Sequence, residues 1–306
     1  MFKKILEEIK LGKVSFVKLE VTDKDGRTRI IKRRFLPPQR LILLGGGHIS
    51  KAVCELAVNV EYDVVVVDDR PSFANKINFP KAIQVICDLF PKAIESLQIT
   101  PYDYVAVVTR GHKNDVDCLR TIMQGNMPYY LGLIGSKRRV SGVFDLLEEE
   151  GIDRNKLDDI HTPIGLSIGA ITPEEIAVSI VAEMIACRRA DKTVYSRDEY
   201  LVQENTDMEL LEYLANNNES KAVAIVIETK GSTPVKSGAI MAVNNIGQIK
   251  GTIGGGCSEH AVMRDALEVI ETGISKIIDV DMTNDVAAME GMVCGGTMQV
   301  YIFKDK

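Results

Sequence analysis

No two of the chain's six cysteines, Cys54, Cys87, Cys118, Cys187, Cys257 and Cys294, stand in a C-x-x-C pair. Their spacing excludes a zinc ribbon and a thioredoxin-type motif, and a reducing compartment, the cytoplasm, is the simpler expectation. No stretch approaches the roughly 18 apolar residues that a membrane span needs. Residues 1–10 alternate charge with Ile and Leu and do not build the apolar core of a signal peptide. There is no excess of positive charge either: the formal net charge of −6 argues against bulk binding to nucleic acid or to an anionic membrane. Neither H-E-x-x-H nor G-x-x-x-x-G-K-[ST] occurs, and there is no internal repeat or low-complexity segment. What remains is a globular composition, 45% hydrophobic and 26% charged over 306 residues, enough for two domains with ordinary cores.

Charge is unevenly placed along the chain. Residues 1–36 hold eleven Lys or Arg against five acids, a local net of +6 that leaves the remainder near −12. Phe2, Ile5, Leu6 and Ile9 share one face of a helix expected over 1–11. Residues 14–21 then alternate at period two, and Asp25-Gly26 supplies a hairpin turn before a second strand over 28–35. The segment reads as a solvated hairpin docked by its apolar face, with an anionic partner as the alternative.

After Pro37-Pro38 the pattern changes. Short apolar runs at 41–44, 63–67, 82–87, 104–109 and 130–134 alternate with helical stretches, as in a parallel sheet buried on both faces. The expectation is a doubly wound α/β, Rossmann-like domain over 37–192. It closes with a helix whose start carries Thr172 as N-cap, Pro173 at the first helical position and Glu175 completing a capping box. Residues 188–199 read as a linker. A smaller α+β domain follows over 200–306, with helices at 207–215 and 259–271 and strands at 222–228, on either side of Asn245-Gly247, at 276–280 and at 298–303.

Two groups of motifs could carry chemistry. The first strand runs into Gly45-Gly46-Gly47-His48-Ile49-Ser50, a G-x-G-x-x-G fingerprint with Ser50 in its last position. Glycines there permit a tight turn and let backbone N–H groups approach a phosphate at the helix start. Asp68, at the end of the second strand, can hold a ribose hydroxyl. Arg110 and His112 after the strand ending at Thr109, and Gly135, Ser136 and Lys137 after Ile134, offer cations and N–H groups at the same sheet edge. This constellation suits a nucleotide-like ligand, or else it is a Rossmann shell with an altered pocket. His112 and His161 are read as structural.

The second group sets two cysteines beside glycines: Gly254, Gly255 and Gly256 before Cys257, and Cys294 before Gly295 and Gly296. Bare backbone N–H groups and a thiol at a helix start would suit a soft metal, a transferable sulfur or an anion. The alternative is that both thiols fill tight turns. Cys54, Cys118 and Cys187 fall in helical stretches and are assigned to the core.

Several of these segments resemble a known family. GGGHISKA, VVVVDDRPSFA, YLGLIGSKRR and HTPIGLSIGAITPEEIAVSIVAE resemble the Rossmann domain of the XdhC/CoxI family, the xanthine dehydrogenase accessory proteins. TKGSTPVKSGAIM, GTIGGGCSE and MVCGGTMQVYI resemble that family's other domain, which usually comes first and here comes second. The resemblance implies a cofactor chaperone, not a turnover enzyme. Such a protein would bind the molybdenum cofactor (molybdopterin), assist its sulfuration, with a cysteine desulfurase as a candidate sulfur source, and deliver it to a xanthine dehydrogenase-like molybdenum hydroxylase. On that basis Gly45, Gly47 and Asp68 are assigned to the nucleotide-like end, and Cys257 and Cys294 to the molybdenum or sulfur end. An NAD(P)-dependent oxidoreductase built on the Gly45 turn is the alternative. A homodimer is expected, closed two-fold dimers being the commonest soluble assembly.

Overall fold

The computed structural model describes residues 1–22, 26–190, 200–201, 206–282 and 296–305. The chain divides into two compact units, residues 38–192 and residues 1–37 together with 193–306.

The chain begins with helix α1 (Phe2–Lys10) and the hairpin β1 (Ser15–Thr22) and β2 (Thr28–Phe35), paired antiparallel from Ser15 opposite Phe35 to Thr22 opposite Thr28. Residues 38–192 then run β3 (Arg40–Leu44), α2 (His48–Asn59), β4 (Asp63–Asp68), β5 (Gln84–Cys87), α3 (Phe90–Leu97), β6 (Tyr104–Val107), α4 (His112–Gln124), β7 (Tyr130–Leu133), α5 (Lys137–Glu149), α6 (Arg154–Asp158) and α7 (Pro173–Ala190). The strands form one parallel sheet in the order β5-β4-β3-β6-β7. Every residue of Leu41–Leu44 is fully buried because both faces are covered. Ile42, Leu44, Val65 and Val67 pack with α3, α4 and α5, whereas Leu41, Leu43, Val64 and Val66 pack with α2 and α7. The fold is the doubly wound α/β class that the strand and helix alternation predicts. Helix α7 starts as its residue types require: Glu175 accepts from the N–H groups of Ile171 and Thr172, and Thr172 Oγ1 accepts from Glu175 N–H at 3.2 Å.

The other unit continues with β8 (Tyr200–Leu201), α8 (Met208–Asn216), β9 (Lys221–Lys230), β10 (Ile240–Asn244), β11 (Ile249–Gly251), α9 (Cys257–Thr272), β12 (Lys276–Asp281) and β13 (Thr297–Asp305). Its five-stranded antiparallel sheet has the order β11-β10-β9-β13-β12, and β8 joins the hairpin as a third strand beside β2. One face of β9, with Ala222, Ala224 and Val226, lies under α9. The opposite face, with Val223, Ile225 and Ile227, is covered by α8, α1 and the hairpin. Residues 1–36, set apart in the sequence by their charge, therefore share the core of residues 206–305. Their basic side chains mostly face away from it, and Arg33 is buried.

That packing makes a sharp expectation for α1. Ile9 is 1% exposed and Leu11 72%. Ile9→Ala should cost this unit about 2–5 kcal/mol of stability, and Leu11→Ala should stay within about 0.5 kcal/mol. Denaturant midpoints of the two variants check it. Equal midpoints would remove the first helix from the core.

Candidate functional site

The carboxyl ends of the parallel strands gather the first group of sequence motifs. Strand order reverses between β3 and β6, so the turns that follow them flank the crevice where open α/β sheets take ligands. The β3 turn is wedged in place. Gly45 N–H donates to Val67 O at 2.8 Å, its φ is +119°, and a Cβ on it would lie 2.3 Å from Val108 O. Gly47, the N-cap of α2, has open space where a Cβ would point, and no side chain caps the helix. The α4 start repeats the arrangement, with Gly111 as an open, uncapped N-cap. Helix starts of this kind leave first-turn N–H groups available to an anion. The α5 start differs: Ser136 supplies its own cap by accepting from Arg139 N–H. His48, Arg110, His112, Ser136 and Lys137 are exposed around these turns, and Gly46 and Ser50 are buried. Ser50 Oγ has no hydrogen-bond partner among the described residues.

Asp68 is placed differently from the ribose acceptor that the fingerprint suggests. It is 1% exposed. Oδ2 accepts from Gly46 N–H at 2.8 Å and from an Arg70 terminal nitrogen at 2.9 Å. Oδ1 accepts from Arg70 N–H at 3.0 Å and Arg70 Nε at 2.8 Å. These four bonds use the carboxylate's acceptor capacity. Burial raises the pKa of this acid, but the Arg70 and Gly46 bonds prevail and hold it below the usual carboxylate range. Asp68 thus clamps the glycine turn from within. Its neighbour Asp69 faces outward and takes Arg110 at 3.0 Å.

A second clamp has no signature in the sequence. Asp115, fully buried in the first turn of α4, accepts from Thr109 Oγ1 at 2.6 Å and from Arg139 Nε at 2.8 Å, while Arg139 also donates to Thr109 O at 3.2 Å. Burial pushes the Asp115 carboxyl up against the opposing effect of these bonds. The network ties the β6 turn to the α5 start. Elsewhere, Gly165-Leu166-Ser167-Ile168-Gly169 spells G-x-S-x-G. Ser167 is exposed in the irregular stretch before α7, not on a strand-to-helix turn, so the context of a nucleophile elbow is missing.

In the other unit the Gly254-Gly255-Gly256 turn has φ values of +117°, +75° and +62°, conformations that side chains rarely adopt. The N–H groups of Gly254 and Gly255, which the sequence suggests are bare, are engaged within the chain. Glu259 Oε1 accepts from Ile253 N–H at 3.3 Å, Gly255 N–H at 3.0 Å and Thr252 Oγ1 at 2.6 Å, and Gly254 N–H donates to Thr252 Oγ1 at 3.1 Å. The helix that starts at Cys257 therefore bends its own acid back to hold the turn. Ser258 Oγ, next to Cys257, is buried with no partner among the described residues.

Cys294 and Gly295 lie outside the described residues, and Gly296 lies inside them. A Cβ on Gly296 would meet Ser232 O at 2.6 Å and Lys230 O at 2.7 Å, and one on Gly254 would meet Pro234 Cγ at 2.4 Å. Gly254 and Gly296 accordingly both pack on the single turn 230–234.

No helix among the described residues is long and apolar enough to cross a membrane. Residues 41–184 match the family model described as the XdhC Rossmann domain, and residues 214–281 match that of the XdhC and CoxI family. A probable xanthine dehydrogenase subunit of Bacillus subtilis (strain 168) is 33% identical over 165 residues, 54% of this chain and 48% of that protein. The molybdenum cofactor insertion chaperone PaoD of Escherichia coli (strain K12) is 27% identical over 154 residues, 50% of this chain and 42% of that protein. A solved xanthine dehydrogenase structure from Bacillus halodurans is 32% identical with a TM-score of 0.49, covering 57% of this chain and 49% of that one. The chain spans about half the length, or less, of the curated relatives it matches.

Proposed function

The chain belongs to the XdhC and CoxI family, and from that premise we propose that it carries the molybdenum cofactor as cargo, assists its sulfuration and delivers it to a xanthine dehydrogenase-type molybdenum hydroxylase. The observation that carries this reading is that Gly254, three residues before Cys257, and Gly296, two residues after Cys294, both pack on the turn 230–234. Thiolates are suited to a soft metal centre, and Gly255 has nothing within 4 Å of where a Cβ would stand. The uncapped starts of α2 and α4, with open Gly47 and Gly111, are suited to the phosphate of a pterin cofactor. The names of two relatives, a molybdenum cofactor insertion chaperone and a probable component of a xanthine dehydrogenase, support the same reading. A cysteine desulfurase is the sulfur source in this account, and a homodimer the working assembly.

The dinucleotide alternative is weakened by Asp68, whose acceptors are taken within the chain. The test is retention of cargo. Chain incubated with the cofactor is expected to carry molybdenum and the fluorescence of the oxidised pterin together through gel filtration. Loss of both on the column would overturn the proposal.

A further inference from the structure

Three side chains of residues 38–192 that the proposed function leaves unused are in register for proton transfer. Cys187, in the last turns of α7, has Sγ 3.8 Å from His161 Nε2. On the other side of the ring, His161 Nδ1 lies 3.6 Å from Glu183 Oε1, too long for a hydrogen bond but an ion-pair distance once the ring is protonated. By sequence alone Cys187 belongs to the core and His161 to the structural residues, because 26 positions separate them.

The fold holds each group in place. His161 pairs with the edge of the parallel sheet, its N–H donating to Leu131 O at 2.9 Å and its carbonyl accepting from Leu133 N–H at 3.0 Å. Its ring stacks on Tyr130, with centroids 4.5 Å apart. Glu183 Oε2 is engaged by Tyr130 OH at 2.5 Å and Gly165 N–H at 2.9 Å, which turns Oε1 toward the imidazole. Tyr129 OH donates to the Cys187 carbonyl at 2.9 Å and fixes the helix at that point. Even so, the cluster is reachable, since the His161 side chain is 35% exposed and Cys187 is half-buried.

We propose that Cys187 is a nucleophilic thiol, with His161 as its general base and Glu183 positioning the imidazole, and that it accepts sulfane sulfur from a thiol persulfide. A nucleophile within reach of a base that a third group orients is the arrangement that activates a weak nucleophile. Burial, then Glu183, pushes the Cys187 thiol up, so the thiol depends on a base to react. The other titratable groups around the cluster are Tyr62, Tyr104, Tyr129, Tyr130, Arg188 and Arg189.

In the reaction, His161 Nε2 takes the Cys187 proton and the thiolate attacks the outer sulfur of R–S–SH. The donor's S–S bond breaks as the new S–S bond forms. The departing R–S⁻ receives the proton from His161, giving Cys187–S–SH and R–SH with no net oxidation. The choice of a persulfide over another sulfur electrophile rests on the sulfuration step of the proposed function, but the reactivity of the thiol does not.

The experiment exposes the full chain briefly to glutathione persulfide and maps the added sulfur by peptide mass. Cys87, exposed and free, is the internal reference. Cys187 is expected to gain sulfur at least about tenfold faster than Cys87, and His161→Asn to cut the Cys187 rate at least about tenfold with Cys87 unchanged. Added imidazole should restore part of the rate in His161→Gly, which a purely structural histidine would not allow. Glu183→Gln should shift the pH profile of the Cys187 rate and leave that of Cys87 alone. A Cys187 rate no greater than that of Cys87 in the unmodified chain overturns the proposal, whether or not the variants fold, as does an unchanged rate in a folded His161→Asn. No molybdenum compound enters this experiment, so its failure leaves cargo retention standing, and a failure of cargo retention leaves its rate ratios standing.

Discussion

Gly45→Ala should strip residues 38–192 of roughly 2–5 kcal/mol, while Gly47→Ala, two positions along, should leave stability nearly unchanged and weaken ligand binding. At Gly45 the backbone φ of +119° is one that a side chain adopts only at a cost of about 1–2 kcal/mol or more. The new Cβ would also lie 2.3 Å from Val108 O. That atom is backbone at the end of a central strand and cannot swing aside, so overpacking adds about 1–3 kcal/mol. For a unit of this size the sum corresponds to a melting temperature lower by roughly 10 °C. Gly47 has an ordinary φ of −77° and nothing within 4 Å of a Cβ. A methyl group there occupies the space in which a phosphate would approach the α2 N–H groups. Thermal melts and binding measurements on the two variants separate the roles. If Gly45→Ala melts with the wild type, the turn is not wedged as described; if Gly47→Ala binds as well as the wild type, the α2 start is not the phosphate seat.

Asp68→Asn should be nearly as damaging, at about 3 kcal/mol, because it leaves the buried Gly46 N–H and the Arg70 fork facing an amide. Arg70 is partly exposed and can turn to water, which keeps the cost from being larger. The pH dependence has a definite sign. The folded pKa is depressed, so the Asp68 contribution is fully present above the unfolded carboxylate value of 3.8 and is lost as pH falls through that value toward the lower folded one. The wild type should therefore lose stability on the acid side more steeply than Asp68→Asn. Parallel acid limbs in denaturation series at stepped pH would remove Asp68 from its clamping role.

Much of this is legible in the residues. The run 41–44 reads as a strand buried on both faces, and it is β3. Thr172, Pro173 and Glu175 mark a helix start because capping is a local interaction, and the hydrogen bonds are made as the residue types require. The destination of residues 1–36 is harder to see because their net charge of +6 suggests solvent. The signal lies elsewhere, in the uninterrupted apolar run of β9: Val223, Ile225 and Ile227 on one face and Ala222, Ala224 and Val226 on the other need two covering layers, and α9 supplies only one.

The candidate site divides in the same way. Glycines at Gly45 and Gly254 are readable because only glycine tolerates such turns. The duties of the acids are not, since an acid in a sequence does not say whether its partner is a ligand or its own chain. Asp68 takes Gly46 and Arg70, and Glu259 reaches back across the loop it follows. The pairing of Cys187 with His161 depends on how the stretch around His161 docks along β7, which no spacing rule reports.

The most direct test of the central claim is molybdenum retention by a Cys257→Ser, Cys294→Ser double variant beside the wild type. Each replacement removes a thiol and little volume, so the melting temperature should be unchanged. The wild type is expected to leave gel filtration with molybdenum and pterin bound, and the double variant, folded, to leave without molybdenum. Wild-type retention by the folded double variant would contradict that claim.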